Sequence, residues 1–178
     1  MILETPRLIL REVTPDDVDG FYKLDSDAEV HRYLGNQPVT SLQQCKDVIA
    51  FVMKQYVDNG IGRWAVVEKF SGDFIGWAGL KLVKEETNGH VNYYDYGYRL
   101  IRQYWGKGYA SECSPFILQY GFTHLPADII YGAAHVDNIA SNRILRKNGF
   151  QFKNTFFYES DLCNWYALEK SLFEGNLP

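Results

Sequence analysis

One stretch constrains this chain more than any other: Leu100-Ile101-Arg102-Gln103-Tyr104-Trp105-Gly106-Lys107-Gly108-Tyr109-Ala110. It carries an alternating, strand-like segment into the start of a helix. At the junction stands Gln103-x-x-Gly106-x-Gly108. Two glycines here open backbone conformations closed to other residues and keep side chains out of a ligand's way. The helix predicted from Gly108 to Phe122 offers N–H groups without intrahelical partners and the positive end of its dipole. Strand, glycine turn and helix N-terminus together form a device for holding phosphate. Taken alone, the same stretch also reads as a plain tight turn, so the rest of the chain has to decide.

Before this junction the pattern predicts a strand over Leu8 to Val13, then a helix opened by Thr14-Pro15-Asp16-Asp17 and running to about Leu24. Asp16 and Asp17 read there as helix-start charges. Asp27 to Tyr33 is expected to form a second short helix, broken by Gly35-Asn36-Gln37-Pro38. Ser41-x-x-Gln44 resembles a capping box, and Val48, Ile49, Val52, Met53 and Tyr56 recur on one helix face. Strands are predicted over Arg63 to Glu68, Phe74 to Val83 and Val91 to Leu100, with Phe70-Ser71-Gly72-Asp73 as a hairpin turn and Glu85 to His90 as a polar turn. Alternation puts Tyr94, Tyr96, Tyr98 and Leu100 on one face of the third strand and Tyr93, Asp95, Gly97 and Arg99 on the other. After the glycine-led helix come a strand, Asp128 to His135, a helix, Ile139 to Asn148, stopped by Gly149, and two strands, Phe150 to Glu159 and Leu162 to Glu169. Ser171 to Pro178 reads as a polar tail. A meander followed by strand–helix–strand–helix–strand implies a mixed α/β sheet in one domain, residues 1–178.

Composition removes several function classes. With 178 residues, 46% of them hydrophobic, the chain suits one globular domain. A net charge of −4 gives no support for a broad nucleic-acid surface. No apolar run is long enough to span a membrane, and the N-terminus lacks the pattern of a signal peptide. Cys45, Cys113 and Cys163 are odd in number and widely spaced, which reads as reduced thiols in a cytoplasmic protein. The histidines show no metal-ligand spacing, so no metal is expected.

About thirty residues beyond the glycine turn comes Asn138-Ile139-Ala140-Ser141-Asn142-Arg143-Ile144-Leu145-Arg146-Lys147-Asn148-Gly149-Phe150. An Asn opens this helix and Gly-Phe closes it. Together with Gln103-x-x-Gly106-x-Gly108, this resembles the GNAT superfamily of acetyl-CoA-dependent N-acetyltransferases. Leu3-Glu4-Thr5-Pro6-Arg7-Leu8-Ile9-Leu10-Arg11, Phe74-Ile75-Gly76-Trp77-Ala78-Gly79-Leu80 and Tyr104-Trp105-Gly106-Lys107-Gly108-Tyr109-Ala110 resemble the RimJ/RimL branch, which includes acetyltransferases of ribosomal-protein N-termini. The likeness extends over nearly the whole chain. It implies a mostly antiparallel sheet with splayed central strands flanked by helices. It also implies an acetyl-CoA pyrophosphate on backbone N–H groups from about Gln103 to Ala110, taking in Trp105, Gly106, Lys107, Gly108 and Tyr109. The pantetheine arm would run like an extra strand near Leu100, Ile101 and Arg102 and the strand ending at His135, with Asn138 bonding it. Asn138 also reads as a simple N-cap.

The implied chemistry is attack of a neutral amine on the thioester carbonyl, through a tetrahedral oxyanion, with loss of the CoA thiolate. It needs a base, an oxyanion donor and an acid. A backbone N–H near Leu100 is the natural donor in this fold. Asp95, in Asp95-Tyr96-Gly97-Tyr98, stands where the branch commonly reads Glu, so it is the candidate base, acting through water because Asp is one methylene shorter. It reads equally as a structural strand carboxylate. Many GNAT enzymes carry Tyr seven residues after the helix-opening Asn; here that position holds Leu145. Ser141 fits the RimJ/RimL position and is the candidate acid, as a sulfur partner or proton relay; it also reads as a first-turn serine bonding local backbone. The expected acceptor is a primary amine, a protein N-terminus in preference to a small molecule, attacked directly in a ternary complex. Monomer and homodimer both remain open. The rival is a non-catalytic acyl-CoA-binding module, for which Leu145 argues and Asp95 and Ser141 argue against. A classical dinucleotide-binding domain is disfavoured, because Ser111 stands at the third glycine position and a meander precedes the turn.

Overall fold

The structure is a computed structural model that describes residues 2–174. Eight strands form one twisted sheet in the order β1-β2-β3-β4-β5-β6-β8-β7. They are β1 (Ile2–Glu4), β2 (Leu8–Arg11), β3 (Arg63–Glu68), β4 (Phe74–Val83), β5 (Tyr93–Leu100), β6 (Ile129–His135), β7 (Gln151–Tyr158) and β8 (Asp161–Glu169). Every neighbouring pair is antiparallel except β5–β6. That exception follows from connectivity, since a helical crossover joins β5 to β6 and returns the chain in the same direction.

Local chemistry sets the helix boundaries. α1 (Val18–Asp25) follows a 3-10 turn at Pro15–Asp17, and the Asp17 carboxylate accepts the Thr14 N–H at 2.8 Å. Asp17 is thus the helix-start charge expected of it. It also takes both ends of the Arg11 guanidinium, at 2.7 and 2.8 Å. α2 (Ala28–His31) is one turn capped by Asp27. α3 (Leu42–Asn59) opens on the Ser41–Gln44 capping box and ends at left-handed Gly60. α5 (Ile139–Lys147) closes with the Gly149 N–H on the Arg146 carbonyl and the Phe150 N–H on the Leu145 carbonyl, a Schellman motif.

The two sheet faces divide the helices. Leu8, Leu10, Leu80, Tyr96, Ile130 and Tyr166 face α4 (Tyr109–His124) and α5, and bury the main core with Ile117 and Leu118. Each such aliphatic side chain contributes about 1.5–3 kcal/mol over an exposed position. Val13, Phe21, Cys45, Ile49 and Ala65 form a smaller core under α1 and α3 on the opposite face.

Three elements differ from expectation. β1 was not legible as a strand; it pairs Ile2–Glu4 with Ile9–Arg11. The expected polar tail begins as a helical turn, α6 (Lys170–Glu174), because Phe173 is apolar and packs, tilted, on Phe122 at 5.3 Å; the rest of that tail lies outside the described residues. The polar turn after β4 folds back over the sheet, so that His90 stacks on Trp165 at 5.5 Å and packs on Tyr131 at 4.6 Å.

Candidate active site

The parallel ladder of β5 and β6 has three residue pairs, Tyr94↔Ile130, Asp95↔Tyr131 and Tyr96↔Gly132. Both strands then continue without each other. β5 stays on β4 to Gly76↔Leu100, and β6 stays on β8 to His135↔Cys163. The result is a wedge between Gly97–Leu100 and Ala133–His135, and Ala133 is exposed although it lies in the middle of a sheet.

Backbone directions in the wedge follow from the register. The Ile101 N–H donates to the Ile75 carbonyl, on the β4 side. Strand N–H groups alternate in direction, so those of Leu100 and Tyr98 point to the side that β6 has left. The Leu100 carbonyl, directed the same way, accepts the Trp105 indole N–H at 2.7 Å. Trp105 thereby closes the outer end of the wedge. At that end Arg102–Tyr104 forms a 3-10 turn, and Gly106 (φ 72°) and left-handed Gly108 (φ 81°) lead into α4. No heavy atom lies within 4 Å of where a Gly106 Cβ would stand. Arg102, Gln103, Trp105, Gly106, Lys107 and Gly108 are exposed, while Ile101, Tyr109 and Ala110 are buried beneath them. The first-turn N–H groups of α4 have no intrahelical acceptor.

α5 closes the other side. Asn138 caps it by accepting the Ser141 N–H at 3.1 Å. The Ser141 hydroxyl lies 3.1 Å from the Tyr98 hydroxyl, so β5 and α5 meet at the wedge mouth through these two groups. Tyr98 was read from sequence only as part of a tyrosine-rich face. Its partner comes from a helix forty-three residues later, which no local signal reveals. Burial pushes the Tyr98 phenol up, partly offset by the Ser141 bond, so the phenol is protonated at neutral pH. Leu145 is buried core, and its Cδ2 would stand 2.8 Å from a Cβ at Gly132. No phenol can be served from that position.

The sheet face turned away from α4 carries Asp95. Arg63 runs from β3 across Gly79 and Gly97, its neighbours in register, and its Nη2 donates to Asp95 Oδ2 at 2.5 Å. The guanidinium lies where a Gly97 side chain would be: a Cβ there would stand 3.0 Å from Cζ and 3.1 Å from Nη2. Arg63 therefore ends beside the first unpaired residue of β5. At about 3.3 Å per residue, Asp95 lies about 10 Å from Tyr98 and about 16 Å from Leu100 along the strand. Further along, Arg99 Nη1 donates to buried Asp25 at 2.5 Å, and His31 lies 3.3 Å from the same oxygen. Burial, then Arg99, pushes the His31 imidazolium down, toward the neutral ring. Burial and the nearby Arg63 likewise lower the Lys81 ammonium, whose residue pairs with Asp95 in register. Tyr33, from the loop after α2, packs on His135 at 5.3 Å, and the Gly35 N–H donates to Asp161 at 2.9 Å. This loop thus lies over the wedge end of β6, on the sheet face that carries Asp95 and Arg99.

The remaining candidates are structural. Cys45, Cys113 and Cys163 are free and buried, and burial pushes the Cys113 thiol up to about 12. His135 Nδ1 accepts the Asp137 N–H at 3.1 Å. Among the described residues, no group of three His, Cys, Asp or Glu side chains can hold a metal ion, and no helix is long and apolar enough to cross a membrane.

The wedge, the cleared glycine turn and the unpaired N–H groups of α4 fit acetyl-CoA: an extended amide-bearing arm for the strand gap and an anion for the turn. Comparison with known proteins agrees. Residues 7–151 match the family described as acetyltransferase (GNAT) domain. The uncharacterized N-acetyltransferase YoaA of Bacillus subtilis strain 168 is 34% identical over 151 residues, covering 84% of this chain and 82% of that protein. RimL, a ribosomal L7/L12 alpha-N-protein acetyltransferase solved with coenzyme A, superposes with a TM-score of 0.80 at 19% identity, over 95% of this chain and 98% of its own. The spermidine N-acetyltransferase of Vibrio cholerae, solved with CoA and spermine, gives a TM-score of 0.76 at 19% identity, over 94% and 98%. The chain belongs to the GNAT family and is an acetyl-CoA-dependent N-acetyltransferase.

Proposed function

We propose that the acceptor is a primary amine at a polypeptide N-terminus, in keeping with the RimJ/RimL-like branch, and that it enters through a groove over the wedge. The observation that carries this reading is the charge of the groove floor. Arg63, Lys81 and Arg99 face Asp25 and Asp95, and each carboxylate is already held by an arginine. A polyamine brings several ammonium groups and needs carboxylates that are free to receive them. A peptide N-terminus brings one amine, which can arrive neutral. The two solved relatives act on different acceptors by their names, a protein alpha-amine and spermidine, so likeness of fold does not choose.

Acetyl-CoA, when bound, supplies the thioester whose acetyl group passes to the amine. Leu100, Ile101 and Asn138 would line the arm, and backbone N–H groups from Gln103 to Ala110 would hold the pyrophosphate. Asp95 receives the amine's proton through water, with Arg63 holding Oδ2 and leaving Oδ1 outside the ion pair. Of the two N–H groups aimed into the wedge, that of Tyr98 is nearer Asp95 and is the better oxyanion donor. Ser141 and Tyr98 form the proton-donating pair for the departing sulfur, the phenol passing its proton through the serine hydroxyl.

The test is release of free CoA from acetyl-CoA with N-terminal peptides, polyamines, amino acids and aminoglycosides as acceptors. Peptides should raise release well above the acceptor-free background. Polyamines as the best acceptors would overturn the charge argument, and binding of acetyl-CoA without turnover on any amine would favour a non-catalytic module.

A further inference from the structure

The glycine turn is not held by β5 and α4 alone. Arg7, between β1 and β2, reaches across the sheet edge to it. The Arg7 backbone N–H donates to Glu112 Oε1 at 2.8 Å, and its Nε donates to Oε2 at 2.5 Å. Its Nη1 donates to the Lys107 carbonyl at 3.0 Å, and its guanidinium lies 4.4 Å from the Tyr109 ring centre. The Thr5 hydroxyl donates to the same Glu112 Oε1 at 2.5 Å. These contacts converge on Lys107, Tyr109 and Glu112, the residues around the α4 N-terminus.

Two physical consequences follow. In a trans peptide the C=O and the following N–H point in opposite directions. An arginine holding the Lys107 carbonyl therefore fixes the Gly108 N–H to point away from Arg7. Glu112, in the first turn of α4, complements the helix dipole but repels any second anion there. Its carboxyl is burdened by partial burial, yet the bonds from Thr5 and Arg7 hold it below the usual carboxylate range, so the charge is always present at neutral pH. Arg7, paired with it, cancels that charge where the donor's pyrophosphate must sit.

We propose that Arg7 is a positioning residue for the donor's pyrophosphate, orienting the Gly108 N–H through the Lys107 carbonyl and neutralising Glu112 beside the anion. The role lies outside the acceptor chemistry, and its test needs no acceptor. CoA binding is measured by calorimetry, and binding of pantetheine, which lacks the pyrophosphate, by NMR titration. Arg7→Gln weakens CoA by about tenfold, the scale of one charge-assisted contact, and leaves pantetheine within about twofold. Arg7→Gln/Glu112→Gln recovers part of the loss, because the uncompensated carboxylate is gone while the hold on the Lys107 carbonyl stays lost. Glu112→Gln alone binds CoA at least as tightly as the parent, which keeps the test open should Arg7→Gln fold poorly. Equal loss for CoA and pantetheine, no recovery in the double variant, or weakened CoA binding by Glu112→Gln would each reduce Arg7 to a fold clamp and overturn the proposal. A parent protein that binds no CoA would instead overturn the donor assignment.

Discussion

Gly97→Ala tests how the groove floor is built. Gly97 sits mid-strand without a positive φ, so its backbone accepts alanine and only space is at issue. A methyl group would stand 3.0 Å from Arg63 Cζ and 3.1 Å from Nη2, and closer still to Nη1. Normal carbon contacts begin near about 3.5 Å, so the guanidinium must retreat by about 1 Å. The Asp95 bond, 2.5 Å long, breaks or bends badly under that shift. A charge-assisted bond between largely buried groups is worth about 1.5–3 kcal/mol. Replacing glycine returns about 0.4–1 kcal/mol through a stiffer unfolded chain. The net expectation is a destabilisation of about 1–2 kcal/mol, read as a lower urea midpoint at unchanged slope. Turnover should fall as well, since Asp95 loses its tether. The decisive control is Arg63→Met, in whose background Gly97→Ala should cost nothing. An equal cost in both backgrounds, or none in either, would refute the reasoning.

Ser141→Ala and Tyr98→Phe should each lower kcat about tenfold with KM for acetyl-CoA unchanged, and the double variant should be little worse than either, because one relay is cut twice. Asp95→Asn should lower kcat/KM on a verified acceptor; an unchanged rate would return Asp95 to a structural role. Burial burdens the Asp17 carboxylate, but its bonds to Arg11 and Thr14 prevail and set its folded pKa below 3.8. Its stabilisation is then complete above 3.8 and fades as pH falls through the folded value, so Asp17→Asn, costing about 3 kcal/mol at pH 7, should cost progressively less in acid-melting curves.

Local chemistry was readable where it acts within a few residues. The capping box at Ser41 and Gln44, the Gly149 stop and the hairpin turn at Gly72 each set a boundary close to where the structure has it. The glycine turn was readable because two glycines in a strand-to-helix junction have a backbone reason to be there. Contacts set by sheet register were not. Arg63 reaches Asp95 only because β3, β4 and β5 align two glycines into a trench, and the alignment is a property of three strands at once. Alternation placed Asp95 on one strand face with Gly97 and Arg99, but its arginine partner went unseen. The Arg7–Glu112 pair spans 105 positions and ties the Leu3–Arg11 stretch to a residue just beyond the glycine-turn stretch. β1, three residues long, is too short for alternation to speak.

The wedge also divides the molecule mechanically. β1 to β5 form one plate and β6, β8 and β7 another, and the seam between them is stitched by three pairs. A ligand lodged in the seam acts as mortar where the sheet itself is joined by only three residue pairs, alongside the core that both plates share beneath α4. Free energy of binding is then free energy of cohesion, about 2.7 kcal/mol when ligand stands at a hundred times its dissociation constant. The stability of the folded chain is thereby tied to the supply of its donor.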